Sequence, residues 1–249
     1  MNQQTSATAS PSPAIWLDRV SYRANHTDII KNVSGHFPTG NITALIGPSG
    51  AGKTTLLKLC NGLISPKQGG IYIEGERIEE QSPLSVRRHV GIVMQSSPMV
   101  QGTVQDNLAL PLQLRGKTLS KAEAIATLER VGLPTSLLTR DARELSGGQK
   151  QKVSIARTLL NDSKILLLDE ITASLDPSSL QEIEDLIVKL KETEKITIVW
   201  ITHNLEQAKR LGGYFWVMVD GELREMGTKE DINATEDEDV KRFVRGVYS

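Results

Sequence analysis

Apolar positions along the chain alternate between short unbroken runs and spaced stripes, and the two patterns predict different elements. Unbroken runs in "NITALIG", "KILLLDE" and "ITIVWITH" have the length of strands buried on both faces. "GGIYIEGERI" and "HVGIVMQ" also read as strands. From about residue 103 to 140 the spacing becomes helical, as at Ile125, Leu128 and Val131, which predicts a helical insertion over about 96–150. "DPSSLQEIEDLIVKL" predicts another helix. Asp176 can cap it, Pro177 suits its first turn, and Leu180, Ile183, Ile187 and Leu190 form one apolar stripe. A short helix is expected from about 204, and "YFWVMVDGELREMG" predicts a hairpin about its Asp-Gly turn. Strands alternating with helices imply an α/β fold with a mainly parallel sheet.

Composition narrows the class without naming a function. The chain has 249 residues, 39% hydrophobic and 24% charged, enough for one large domain with a real core. With a formal net charge of -1, nothing points to bulk nucleic-acid binding, and no nucleic-acid partner is expected. The single cysteine, Cys60, excludes an internal disulfide and fits a reducing compartment. No apolar run approaches the length of about 18 residues that a spanning helix requires. The opening "MNQQTSATASPSP", residues 1–13, reads as a disordered tail before a domain over 14–249.

Three stretches carry candidate chemistry. "GPSGAGKTT" runs through Gly47, Pro48, Ser49, Gly50, Ala51, Gly52, Lys53, Thr54 and Thr55, between an expected strand and an expected helix. It fits G-x-x-x-x-G-K-[ST], in which backbone N–H groups cradle phosphates, the lysine reaches the β and γ phosphates, and the threonine hydroxyl can ligate Mg²⁺. "ILLLDE" places Asp169 and Glu170 at the C-terminal end of a buried strand, where parallel sheets bind ligands. There Asp169 can join a Mg²⁺ shell and Glu170 can polarise an attacking water. "ELSGGQKQK" contains Ser146, Gly147, Gly148 and Gln149 at an expected helix start, whose free N–H groups suit an anion. An isolated Ser-Gly-Gly is more often an ordinary cap. Gln95 and His203, each following a strand, say little singly.

The order of these motifs is more specific than any of them. Phosphate loop, glutamine, LSGGQ, apolar strand with Asp-Glu, "SLD" and histidine together resemble the nucleotide-binding domain of ABC ATPases over residues from about 15 to 230. The resemblance implies a P-loop NTPase core, an antiparallel β subdomain and a helical insertion. It implies that Lys53, Thr54, Gln95, Asp169, Glu170 and His203 form half of an ATP and Mg²⁺ site, with Glu170, His203 and Gln95 catalytic and Thr54, Gln95 and Asp169 at the metal. Ser146 and Gly148, with Gly147 and Gln149 in the same signature, would bind the γ-phosphate held by a second copy. Asp176 would lie in the loop that joins the two sites.

The departures are local. Ile171 stands in "DEITASLD" where relatives usually have proline. The family's adenine-stacking aromatic falls at Ala24 when counted from "LDRVSY", which leaves Tyr22, two residues early, as the candidate, with core packing as its other reading. Lys150 and Lys152 replace common arginines and read as a solvated helix face. "GTVQDNLALPLQLRGKTL", "LLLDEIT" and "WITHNLEQAKRL" are similar to the FetA-type subgroup of iron exporters and plant aluminium-tolerance relatives. That implies an ATPase at the cytoplasmic face of a membrane, working as a homodimer on an integral membrane permease. Phosphate or amino-acid import, and a soluble assembly ATPase, stay open beside it.

Overall fold

The computed structural model describes residues 13–244. The chain opens with β1 (Pro13–Ala24) and β2 (Thr27–Pro38), followed by β3 (Ile42–Ile46), the glycine loop and α1 (Lys53–Cys60). Next come β4 (Gln68–Ile73), β5 (Glu76–Arg77), α2 (Pro83–His89) and β6 (Val90–Val93). A helical stretch holds α3 (Val104–Gln113), α4 (Lys121–Arg130) and α5 (Gly147–Leu159). The remainder alternates as β7 (Ile165–Asp169), α6 (Pro177–Glu194), β8 (Thr197–Ile201), α7 (Leu205–Leu211) and β9 (Tyr214–Val219). β10 (Glu222–Gly227), α8 (Lys229–Asn233) and α9 (Glu238–Val244) close it.

The strands form two sheets. One has the order β10-β9-β3-β8-β7-β6, parallel throughout except for the β9–β10 hairpin. All residues of β3, β7 and β8 are buried, because these central strands are covered on both faces. Side-chain alternation divides them between two cores. Leu166, Leu168, Ile198 and Trp200 pack with Val153 and Ala156 of α5 and Ile183 and Ile187 of α6. Ile165, Leu167, Val199 and Ile201 pack with Leu56 and Leu57 of α1 and with Ile15 and Phe37 of the second sheet. That sheet, β2-β1-β4-β5, is antiparallel. The mainly parallel core with an antiparallel sheet and a helical stretch is therefore the architecture of the protein.

Every strand and helix read from the pattern is present, the Asp220-Gly221 turn included, with φ of 50° and 83°. Asp176 caps α6 by accepting from the N–H groups of Ser178 and Ser179 at 3.1 and 3.0 Å. Ile183, Ile187 and Leu190 are buried under it, and Leu180 is half-buried. The pattern did not reveal the twelve-residue strands β1 and β2. A bulge at Arg19, with φ 48°, breaks the two-residue period, so Ile15 and Leu17 are buried and then Val20. The expected tail lies outside the described residues apart from Pro13, which begins β1. Among the described residues no helix is long and apolar enough to cross a membrane.

Candidate active site

The loop after β3 takes its shape from glycine. Gly47 has φ 141°, and a Cβ there would lie 2.0 Å from the Met218 carbonyl oxygen. Gly52, at φ 92°, precedes α1 in the left-handed region, and its Cβ would meet the Ile29 oxygen at 2.8 Å. The loop therefore closes tightly and ends on a helix start whose side chains make no cap, leaving main-chain N–H groups for an anion. Lys53 Nζ folds back onto this loop, donating to Gly47 O at 2.8 Å and Pro48 O at 2.7 Å. Burial pulls its pKa below the usual lysine value, and the charges of Glu170 and Asp169 oppose that pull.

The strand ends of β7 and β8 bring the acids and the histidine to the loop. Thr54 Oγ1 donates to Asp169 Oδ1 at 2.9 Å. Burial raises the Asp169 pKa, the Thr54 hydrogen bond opposes the rise, and the neighbouring Glu170 charge adds to it. Glu170 has φ 50°, rare for a residue with a side chain, and its N–H donates to Ile201 O at 3.2 Å across to β8. Glu170 Oε1 lies 2.6 Å from His203 Nε2. A cavity of about 230 Å³ is lined by loop residues 49–55, Glu170, His203 and Ile29. The structure thus gathers Ser49 to Thr55, Asp169, Glu170 and His203 at one place.

The donor set fits Mg²⁺. Among the described residues no three or more His, Cys, Asp and Glu side chains cluster to hold a metal. Mg²⁺ does not need such a cage, since it is commonly bound through one or two carboxylates together with substrate phosphates and water. Thr54 and Asp169 offer hard oxygen at the edge of the phosphate cradle, and a cation there would relieve the burial of the Asp169 carboxylate.

Gln95 lies two residues past β6 and is exposed. It shares a second cavity, about 140 Å³, with Glu170, Gly147 and Gln151. Ser146 caps α5: its Oγ accepts from Gln149 N at 3.3 Å, and Gln149 Oε1 accepts from Ser146 N at 3.1 Å. A Cβ at Gly148 would lie 2.7 Å from Ser179 Oγ at the start of α6, so close packing also favours glycine there. None of the four residues Ser146 to Gln149 lines the phosphate-loop cavity of its own chain.

Tyr22, on β1, is not among the residues that line the phosphate-loop cavity. It lines a separate cavity of about 530 Å³ with Ile30, Asn32 and Lys67, and its ring packs partly against the core. The hairpin residue that reaches the loop cavity is Ile29, which alternation along β2 turns to the other face from Ile30. Lys152 is not on a solvated face. It is buried and donates to Glu182 Oε2 at 2.7 Å and Gly132 O at 3.3 Å. Sequence reasoning also passed over Gln151 and Gln207. Gln207 Oε1 accepts from Thr202 Oγ1 at 2.8 Å, immediately before His203. A polar residue inside an amphipathic helix gives no sign of being buried.

A family model described as ABC transporter matches residues 30–173. The chain is 46% identical over 220 residues to the putative ABC transporter ATP-binding protein YjkB of Bacillus subtilis (strain 168), covering 88% of this chain and 87% of that one. It is 38% identical to the probable iron export ATP-binding protein FetA of Escherichia coli (strain K12), over 79% of this chain and 87% of FetA. Identity is also 38% to the methionine import ATP-binding protein MetN of Vibrio vulnificus (strain YJ016), over 88% of this chain and 65% of MetN. Among solved structures, cbiO1 from Clostridium perfringens, part of the complex cbiONQ, matches with TM-score 0.80 at 27% identity, covering 95% of this chain and 94% of that one. The dimeric cassette MJ0796, in a post-hydrolysis state with ADP and Pi, matches with TM-score 0.75 at 28% identity, covering 86% and 98%.

Proposed function

The chain belongs to the ABC transporter family as an ATP-binding and ATP-hydrolysing cassette, and from that premise we propose how its residues divide the work. ATP binds with its phosphates in the 47–55 loop, and Lys53 exchanges its loop carbonyls for phosphate oxygens. Thr54, Asp169 and Gln95 would hold Mg²⁺, which would supply charge neutralisation beside the phosphates. Glu170 accepts a proton from the water that attacks the γ-phosphorus, the bond to the bridging oxygen breaks, and ADP leaves with that oxygen. His203 holds the Glu170 carboxylate in place. The contact that carries this reading is His203 Nε2 to Glu170 Oε1 at 2.6 Å, inside the cavity that the phosphate loop lines.

The exposed Ser146 end of α5 serves the nucleotide of a second copy, so that two chains enclose two nucleotides. The dimeric state of MJ0796 supports this reading. The motor sits on the cytoplasmic face of a membrane and drives an integral permease, supported by the assembly of cbiO1 in cbiONQ. For cargo we favour metal export, on the likeness to FetA, with methionine import as the second reading on the equal identity to MetN. The test is to recover the tagged chain from gently solubilised membranes and reconstitute it with the permease it brings. ATP-driven iron efflux supports the first reading and methionine uptake the second. Recovery in the soluble fraction alone, with no permease, replaces both with an assembly ATPase.

A further inference from the structure

Gln95 stands in a stretch that belongs to no helix or strand, so nothing in the sheet fixes its main chain. Its carbonyl oxygen instead accepts from Gln151 Nε2 at 3.0 Å. Gln151 lies in α5, is 5% exposed, and has its other side-chain atom, Oε1, bonded by the hydroxyl of Ser97. Because a carbonyl can only accept, the Gln95 contact requires the Gln151 amide nitrogen on that side, which leaves its oxygen for the Ser97 hydroxyl. Further along the same helix, Arg157 Nη2 donates to Pro98 O at 3.0 Å. From the other flank the fully buried Asn107 of α3 closes the stretch, accepting from Val100 N at 2.9 Å and donating to Val100 O at 3.0 Å. The Gln95 segment is thus suspended between α5 and α3, and the Gln151 bond is the attachment nearest the site.

We infer that Gln151 is a positioning residue, which sets the reach of Gln95 toward the nucleotide and ties it to the helix that begins at Ser146. This rests on the proposed reading, in which Gln95 serves its own chain's Mg²⁺ and nucleotide while the Ser146 end serves the partner copy's. The cavity shared by Gln95, Glu170, Gly147 and Gln151 brings residues of both half-sites and the link together. A shift of α5 at one nucleotide therefore moves the carbonyl of Gln95 at the other. Misplacement by about 1 Å of a group that orients a reaction commonly lowers rate by about 10²-fold.

The test uses Gln151→Glu and Gln151→Leu in the full chain. The glutamate is isosteric and still accepts from Ser97, but it cannot donate to the Gln95 carbonyl, and the leucine does neither. Three quantities are measured: nucleotide affinity in EDTA, the gain in that affinity on adding Mg²⁺, and kcat. Both variants should bind nucleotide in EDTA within about twofold of wild type, lose most of the Mg²⁺-dependent gain, and turn over about 10–100-fold more slowly. Ser97→Ala, which keeps the Gln95 bond, should stay near wild type in all three. A Gln151→Glu protein with wild-type Mg²⁺ dependence and kcat overturns the inference, as does a loss of affinity in EDTA that tracks a fall in melting temperature. A wild type without Glu170-dependent hydrolysis removes the underlying reading instead, and the inference with it.

Discussion

His203 Nε2 and Glu170 Oε1, 2.6 Å apart, join the ends of two adjacent parallel strands across the mouth of the phosphate loop. The bond holds a carboxylate whose own backbone, at φ 50°, is already forced into an uncommon conformation. With side chain and main chain both constrained, Glu170 is oriented before substrate arrives, as its proposed role as general base requires.

Glu170→Gln should therefore keep nucleotide binding and lose turnover by about 10²–10⁴-fold, the usual effect of deleting a positioned base. Its amide still reaches His203, so the fold survives. ATP that is bound but not hydrolysed should then hold two copies together, giving a dimer on size exclusion with Mg²⁺ and ATP and a monomer without. Hydrolysis close to the wild-type rate would remove Glu170 from the role.

Asp169→Asn separates stability from function. The folded pKa of Asp169 lies above its ordinary value of 3.8, chiefly through burial. Protonation thus favours the fold: the contribution is fully present below the unfolded pKa and is lost as pH rises through the raised folded value. At pH 7 the ionised carboxylate is destabilising, so Asp169→Asn should raise the melting temperature there and differ little from wild type below about pH 4. The same variant should lose the thermal stabilisation that Mg²⁺ with nucleotide gives wild type. A lower melting temperature at pH 7 would mean that the Thr54 hydrogen bond outweighs the burial.

Tyr22→Ala distinguishes stacking on adenine from core packing at a residue that lines a cavity apart from the phosphate loop, and affinity within about twofold of wild type would leave Tyr22 to the core. Base stacking on an aromatic ring is worth about 1–3 kcal/mol, so a loss of that size in a folded variant would return Tyr22 to the adenine. Ile29→Asp, by contrast, should weaken binding, since it puts charge where the loop cavity offers its aliphatic wall.

What was legible in the sequence was whatever is contiguous. The loop from Gly47 to Thr55, the Asp169-Glu170 pair and the Asp176 cap each need only neighbours in the chain, and each could be placed on its element. Ile29, Gln151 and Lys152 depend on which face of an element is covered. The bulge at Arg19 interrupts the parity of the hairpin that carries Ile29, and a buried glutamine or lysine in α5 is indistinguishable from a solvated one until Gln95 and Glu182 are brought against it. Gly148 shows the same limit from the other side. Its glycine suits an anion site on sequence grounds, and a Cβ there would in addition displace Ser179.

The stretch after Gln95 combines main-chain bonds to α5 with an apolar sequence, and the structure sorts its residues. Met99 packs on the helical core and Leu108 is fully buried, whereas Val100 is 41% and Leu114 81% exposed. Exposed Leu and Val are common singly, so exposure alone decides nothing. Val100 differs because Asn107 grips its main chain from both sides, so a force applied at its side chain reaches the segment that holds Gln95. Val100→Asp keeps those main-chain bonds and should leave the isolated subunit's ATPase near wild type while abolishing ATP-driven transport by the reconstituted complex. Leu114→Asp, at the far end of α3, tests how widely the contact spreads. Normal transport by Val100→Asp, with the permease still co-purifying, would move the docking site away from this segment.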